Sequence, residues 1–255
     1  MASDFRTLVK SGKELIGIFI KTPNYQLVEL VSSCNLSFIV LDAEHAPFDR
    51  SELDTSIMAA KSSNIPVMVR VPKSSDEYIL NALDQGADGV LVPHINSMND
   101  VNEVVSYAKY RDTNFPLGKR GFSNSSRSGD YGSLSLMKMI DRANYQTALI
   151  CQIEEKEAVD NIDEIVNQDG IDCLFIGTAD LAVSLDCEEI NDSRVIDAID
   201  RVVIAAKKAN IPLGIYLSDS SRIDVWREKG FSLFIIGSDQ MHLKNALKNL
   251  TAQLN

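Results

Sequence analysis

Basic charge is in deficit in this chain, and cysteine is sparse. Each shortage closes off a class of protein. Lysine and arginine number 25 against 36 acidic residues, for a net charge of −11 over 255 residues. Nucleic acid and anionic membrane surfaces are recognised through basic patches, so partners of either kind are not expected. The acid surplus reads mostly as solvated helix surface, as in Glu154-Glu155-Lys156-Glu157 and Glu188-Glu189. No apolar run is long enough to span a bilayer, and Met1-Ala2-Ser3-Asp4-Phe5-Arg6 lacks the apolar stretch of a signal peptide. The four cysteines (Cys34, Cys151, Cys173 and Cys187) include no C-x-x-C pair, which argues against a zinc site. Cys151 and Cys173 fall inside apolar runs, where a reduced, buried thiol is the default. A cytoplasmic protein without disulfides is expected. Repeats and low-complexity segments are missing too.

What is present is ordinary globular composition, 45% hydrophobic and 24% charged, laid out in an alternation. Short apolar runs occupy 15–20, 37–41, 66–70, 88–92, 147–153, 171–177, 212–216 and 232–236. Between most of them the apolar residues recur at three and four, predicting helices over 51–62, 76–84, 98–109, 195–209 and 239–250. Gly or Asn then precedes the next run at Asn64, Gly86, Gly170, Asn210 and Gly230, the usual helix stop. Eight buried strands alternating with helices predict an α/β fold, a closed (β/α)8 TIM barrel, as a single domain over 1–255. An open doubly wound sheet would carry a glycine-rich phosphate loop after the first strand; Lys21-Thr22-Pro23-Asn24 is not one. A polar loop insertion at about 110–133 interrupts the pattern after the fourth strand, and loops of that length usually carry function or motion.

In such a barrel the C-terminal ends of the strands form the working rim. Asp42, Glu44 and His45 stand there after the second strand, Arg70 ends the third, and Pro93-His94 follows the fourth. Gln152 and Glu154 close the fifth, and Thr178-Ala179-Asp180 follows the sixth. Gln152 and Glu154 are two apart on a strand and therefore share a face. If that face points into the mouth, Glu154 and Asp180 can share a cation, and two carboxylates suit Mg2+ or Mn2+. Asp180 reads equally well as a cap or first-turn acid of a short helix. Arg70 in such a place pairs with a carboxylate, either a substrate's or that of Asp42 or Glu44. His45 is placed to act as a general base tuned by Asp42 or Glu44, with Glu44 the more structural of the two. His94 has no acid near it in sequence and reads as structural. His242, on the last helix, reads as a surface or interface residue.

Six segments in order, Leu41-Asp42-Ala43-Glu44-His45-Ala46-Pro47, Val69-Arg70, Gly86 to Pro93, Gly118-Lys119-Arg120-Gly121, Gln152-Ile153-Glu154 and Phe175 to Leu181, resemble the HpcH/HpaI aldolase family over about residues 5–250. The resemblance implies a class II pyruvate aldolase for 2-keto-3-deoxy sugar acids or related hydroxy keto acids. It also implies a homo-oligomer, usually a hexamer that exchanges the C-terminal helix. Carried over, it makes Glu154 and Asp180 the ligands of a divalent metal. Gln152 and Arg70 bind the keto acid, and backbone groups of Gly177, Thr178 and Ala179 hold its carboxylate. His45 becomes the acid/base residue, with Asp42 in support. Thr178 stands where the family usually has proline. Lys21-Thr22-Pro23 and Ala46-Pro47-Phe48-Asp49-Arg50 look more like a siderophore-associated branch, which joins acetyl-CoA to oxaloacetate to make citrate and needs no metal cofactor. A non-catalytic keto-acid sensor on the same barrel is a third reading, and the full set of acid, base and arginine argues against it. A phosphosugar isomerase is a fourth, disfavoured because Ser218-Asp219-Ser220 would repel phosphate.

Overall fold

A computed structural model describes residues 4–254. Met1 to Ser3 of the N-terminal run discussed above lie outside it, as does Asn255. Eight strands form a closed, all-parallel ring in sequence order: β1 (Leu15–Ile20), β2 (Phe38–Asp42), β3 (Val67–Arg70), β4 (Gly89–Val92), β5 (Ala148–Ile153), β6 (Cys173–Ile176), β7 (Leu213–Leu217) and β8 (Phe231–Ser238). Each pairs with its neighbours, and β8 closes on β1 through Leu15↔Leu233 and Gly17↔Ile235. This is the expected (β/α)8 barrel, with every strand within two residues of its apolar run.

Strand alternation divides the core in two. Phe38, Val40, Met68, Leu91, Ala148, Ile150, Cys173, Phe175, Leu233 and Ile235 pack together inside the ring. The alternate residues, among them Ile39, Leu41, Val67, Val69, Leu149 and Leu174, pack outward against the helices. Filling so narrow a ring requires small residues beside large ones. A Cβ on Gly17 would lie 2.7 Å from the Phe38 ring and carbonyl, so Gly17 is what lets that ring in. Burying Phe38 fully contributes about 2–3 kcal/mol, and Gly17→Ala would force the ring out of place. Phe5 and Val9, on the short helix Phe5–Lys10, join the same interior cluster and plug the floor.

Four helices end at or within two residues of the stops read for them, Asn64, Gly86, Asn210 and Gly230, whereas the helix before β6 ends at Ile165, five residues short of Gly170. Asn64, Gly86, Gly170, Asn210 and Gly230 all have left-handed backbone, with φ between 55° and 102°. Helices Tyr25–Ser32 and Leu136–Gln146 were not read from the sequence; side chains of Asn24 and Ser135 cap their N-termini. The 110–133 segment is irregular apart from a short 3-10 stretch at Arg127–Gly132, and it is fastened to the barrel by Arg120–Asp84 (2.8 Å) and Arg127–Asp54 (2.9 Å). Among the described residues, no helix is long and apolar enough to cross a membrane.

Candidate active site

The inward parity that fills the ring continues past the last apolar layer into the mouth. Phe38 and Val40 lead to Asp42, Met68 to Arg70, Ala148 and Ile150 to Gln152 and Glu154, and Leu15 and Phe19 to Lys21. These side chains surround a cavity of about 200 Å³, whose lining includes Phe19, Lys21, Asp42, Arg70, Gln152 and Asp180. The backbone of Gly177, Thr178 and Ala179, with Tyr216, borders the same space. Of the residues expected at the site, Asp42, Arg70, Gln152, Gly177, Thr178, Ala179 and Asp180 therefore line one cavity. Glu154 lies directly behind Gln152, and His45 stands out on the rim, 56% exposed.

Asp42 and Arg70 are register partners on β2 and β3, which brings their side chains face to face. Arg70 donates from Nε to Asp42 Oδ1 at 2.9 Å, and its Nη2 sits 2.8 Å from Oδ2. Nη1 lies 3.3 Å from Glu44, and the guanidinium rests 4.4 Å over the Phe19 ring. Only the Nε contact is a hydrogen bond; the Nη contacts are ion pairs, and Asp42 Oδ2 and Glu44 Oε2 have no hydrogen-bond partner, so the Nη groups keep N–H donors for a ligand. Burial alone would raise the Asp42 pKa, but Arg70, the His45 N–H (3.1 Å) and Lys21 outweigh it and hold the carboxyl below its ordinary range. Glu44 moves the other way. Burial, with Asp42 and Asp180 nearby, lifts it above the usual carboxylate range despite Arg70 and His94.

Glu154 is 2% exposed, so it does not belong to the solvated face of its charged neighbours. One oxygen accepts the His94 backbone N–H at 2.8 Å and the other accepts from Gln152 Nε2. Gly177 makes this possible, because a Cβ there would come within 2.9 Å of the Glu154 carboxylate. Burial raises the Glu154 pKa, and the nearby Asp180 raises it further. The Gln152 side-chain amide oxygen is buried beside it without a hydrogen-bond partner. Asp180 is not a cap: Gly177 holds that position, without a side-chain bond, and Asp180 is an exposed first-turn residue. Among the described residues no three His, Cys, Asp or Glu side chains cluster as a metal site. A buried carboxylate, a second carboxylate and an orphaned side-chain amide oxygen nonetheless form a hard oxygen set of the kind that binds Mg2+ or Mn2+, with water or substrate completing the shell.

His94 corrects the sequence reading. Its ring faces three acids: Nδ1 lies 2.9 Å from Glu155 and 3.3 Å from Glu154, and Nε2 lies 3.5 Å from Glu44. Burial opposes its protonation, but the Glu155 hydrogen bond and the charges of Glu154 and Glu44 prevail and lift its pKa above the ordinary imidazole value. Its backbone is left-handed, with φ 57°, an unusual conformation that aims the N–H at Glu154. None of these acids is near His94 in sequence; they arrive from β2 and from the end of β5. Lys21 was the other omission. Its Nζ lies 3.4 Å from Asp42, and the signal that could have found it was its parity with Leu15 and Phe19.

A parallel eight-stranded barrel whose ionisable side chains converge on one cavity at the strand C-terminal ends defines a barrel enzyme with its chemistry at that rim. Residues 15–246 match the model of the HpcH/HpaI aldolase/citrate lyase family, and the chain belongs to that family, an enzyme of its aldolase and lyase class. The chain is 29% identical to a hydroxypyruvate/pyruvate aldolase of Paraburkholderia phytofirmans over 95% of this chain and 94% of that one. A solved HpcH/HpaI aldolase/citrate lyase family protein from Burkholderia cenocepacia superposes with a TM-score of 0.93 at 27% identity, covering 98% of both chains. The citrate synthase SbnG superposes with a TM-score of 0.87 at 26% identity, covering 98% of this chain and 96% of that one.

Proposed function

We propose that the chain makes or breaks a carbon–carbon bond next to the carbonyl of a 2-keto acid, through an enolate held at the barrel mouth. The observation that carries this reading is Arg70, held by Asp42 and Glu44 with Nη donors left over, in a cavity that also holds Gln152 and Asp180. In the cleavage direction a proton leaves the C4 hydroxyl of the substrate and the C3–C4 bond breaks. Its electron pair moves to the C2 oxygen, where Arg70 stabilises the developing charge. His45, on the rim and exposed, takes the hydroxyl proton and returns one to C3. Asp42 supports both residues by accepting the His45 backbone N–H, which fixes the turn carrying the imidazole, and by orienting the guanidinium. Backbone N–H groups of Gly177 to Ala179 receive the carboxylate. Glu154 and Asp180, with Gln152 beside them, hold a divalent ion, Mg2+ or Mn2+, which when bound supplies Lewis acidity to the keto acid.

A citrate-forming synthase is the second reading, favoured by His94. An imidazole held among three acids is a better placed proton source for a second substrate than its sequence position suggested. In that case oxaloacetate occupies the cavity and acetyl-CoA is the second partner. One paired assay separates the two. Chelator-sensitive deuterium exchange into the methyl group of pyruvate, with no thiol release, supports the aldolase. Thiol release from acetyl-CoA and oxaloacetate that survives the chelator supports the synthase. Neither signal would remove the catalytic reading.

The same proposal takes residues 1–255 as one barrel domain acting as a homo-oligomer, a hexamer by resemblance. The helix Asp239–Ala252 supports this, because Leu243, Leu247 and Leu250 form an apolar stripe that is more than half exposed. Four unpaired cysteines, two of them buried, support a reducing compartment, the cytoplasm. The acidic net charge argues against nucleic-acid partners.

A further inference from the structure

The mouth holds one cation more than the chemistry above uses. Lys21 and Arg70 both line the cavity, but they are held very differently. Arg70 is 9% exposed along its side chain and engaged by two carboxylates, whereas Lys21 is 29% exposed and makes a single 3.4 Å contact with Asp42 Oδ2. Oδ2 has no hydrogen-bond partner, and the charge of the carboxylate is met by the two closer Arg70 contacts, a hydrogen bond to Oδ1 and an ion pair with Oδ2. The Lys21 ammonium, a compact charge with three donors on a flexible stem, therefore keeps most of its hydrogen-bonding capacity for a ligand.

Its backbone, by contrast, is anchored. Asp239, 7% exposed, accepts the Lys21 N–H at 2.7 Å with one carboxylate oxygen and the Thr22 N–H at 3.1 Å with the other. Gln240 Nε2 adds longer contacts to Lys21 O and Thr22 Oγ1. Burying a carboxylate is costly, and this one is committed to fixing where the chain leaves β1. The result is a mobile ammonium on a fixed base, in a cavity whose other cation is locked.

A 2-keto acid with one carboxylate has no use for that second cation. We propose that Lys21 is a specificity-determining residue that pairs with a second carboxylate, so that the site selects 2-keto diacids over 2-keto monoacids, with Asp239 as its positioning residue. This rests on the keto-acid reading of the same cavity. Oxaloacetate and 2-oxobutyrate are suitable probes because they have the same carbon count and differ only in whether the far end is a carboxylate or a methyl group.

Calorimetric titration of the intact protein with each compound tests the proposal. Wild type is expected to bind oxaloacetate at least about tenfold more tightly than 2-oxobutyrate, the scale of one charge pair in a partly closed site. Lys21→Met is expected to remove most of that ratio by weakening oxaloacetate about tenfold while holding 2-oxobutyrate within about twofold. Lys21→Arg should keep the ratio, and Asp239→Asn should lower it by a smaller factor. A ratio unchanged in Lys21→Met overturns the assignment. So does an equal loss of both ligands, which would mean that Lys21 only props up Asp42. Wild type binding neither compound would instead remove the keto-acid reading itself, a result distinct from either.

Discussion

The two ends of the barrel both bury charge, and they treat it in opposite ways. At the floor the two most deeply buried ionisable groups are both hydrogen-bonded. Asp172, 1% exposed, receives Arg6 Nε at 2.8 Å and the Leu149 N–H at 2.9 Å. Lys109, fully buried, donates to the carbonyls of Asn144 and Thr147 at 3.1 and 2.9 Å and lies 5.5 Å over the Phe115 ring. At the mouth the accounts stay open. Glu44 and Glu154 are pushed up by burial, Asp42 Oδ2, Glu44 Oε2 and the Gln152 side-chain oxygen have no hydrogen-bond partner, and Lys21 makes a single 3.4 Å contact with Asp42. A fold that hydrogen-bonds Asp172 and Lys109 at one end and leaves several buried oxygens without partners at the other has built the second end for something that binds there.

Substitutions at the two ends should separate catalysis from stability. Arg70→Lys keeps the charge but loses the fork on Asp42; it is expected to lower kcat/KM by about a hundredfold or more. Asp172→Asn, at the floor, should leave kcat/KM within about twofold yet destabilise by about 3 kcal/mol in urea unfolding, because Arg6 loses its buried partner. If the two phenotypes were exchanged, the contrast between the ends would collapse. Added Mg2+ or Mn2+ at about a hundred times its dissociation constant should stabilise wild type by about 2.7 kcal/mol, seen as a rise in Tm. Glu154→Gln should abolish that rise, and a full rise in this variant would remove the proposed ligand set.

The smallest expected effect is a pH slope. Burial lowers the Lys109 pKa to about 7. Above that value the unfolded chain binds a proton that the folded one does not, so stability rises with pH from about 7 toward the ordinary lysine value. Between about pH 7 and 8.5, before thiols titrate in the unfolded chain, the gain approaches 1.4 kcal/mol per unit. Lys109→Met should flatten this slope in urea titrations while leaving keto-acid binding unchanged; an identical slope would show that Lys109 does not titrate there.

The barrel was legible because its signals are local. An apolar run, an amphipathic stretch and a stop residue such as Asn64 or Gly230 each declare themselves within a few positions. The Asp42–Arg70 pair was also legible, since both residues end adjacent strands. His94 was not: its acids come from two other strands, and a sequence carries no record of proximity across a ring. Lys21 failed for a related reason. Its strand parity was readable, but its partner Asp42 lies on another strand and its anchor Asp239 lies 218 positions away. The helix Leu136–Gln146 follows the polar 110–133 segment, whose irregularity masked the onset of its periodicity.

The Asp239 clamp has a consequence for how the chain becomes active. Lys21 and Asp239 are separated by 218 positions, and their contact exists only when the last strand lies against the first. The mouth is therefore complete only once the ring has closed, whichever segment folds first. During refolding, selectivity between the diacid and the monoacid should emerge later than protection of the inner strands. A ligand pair then serves as a clock for closure of the ring.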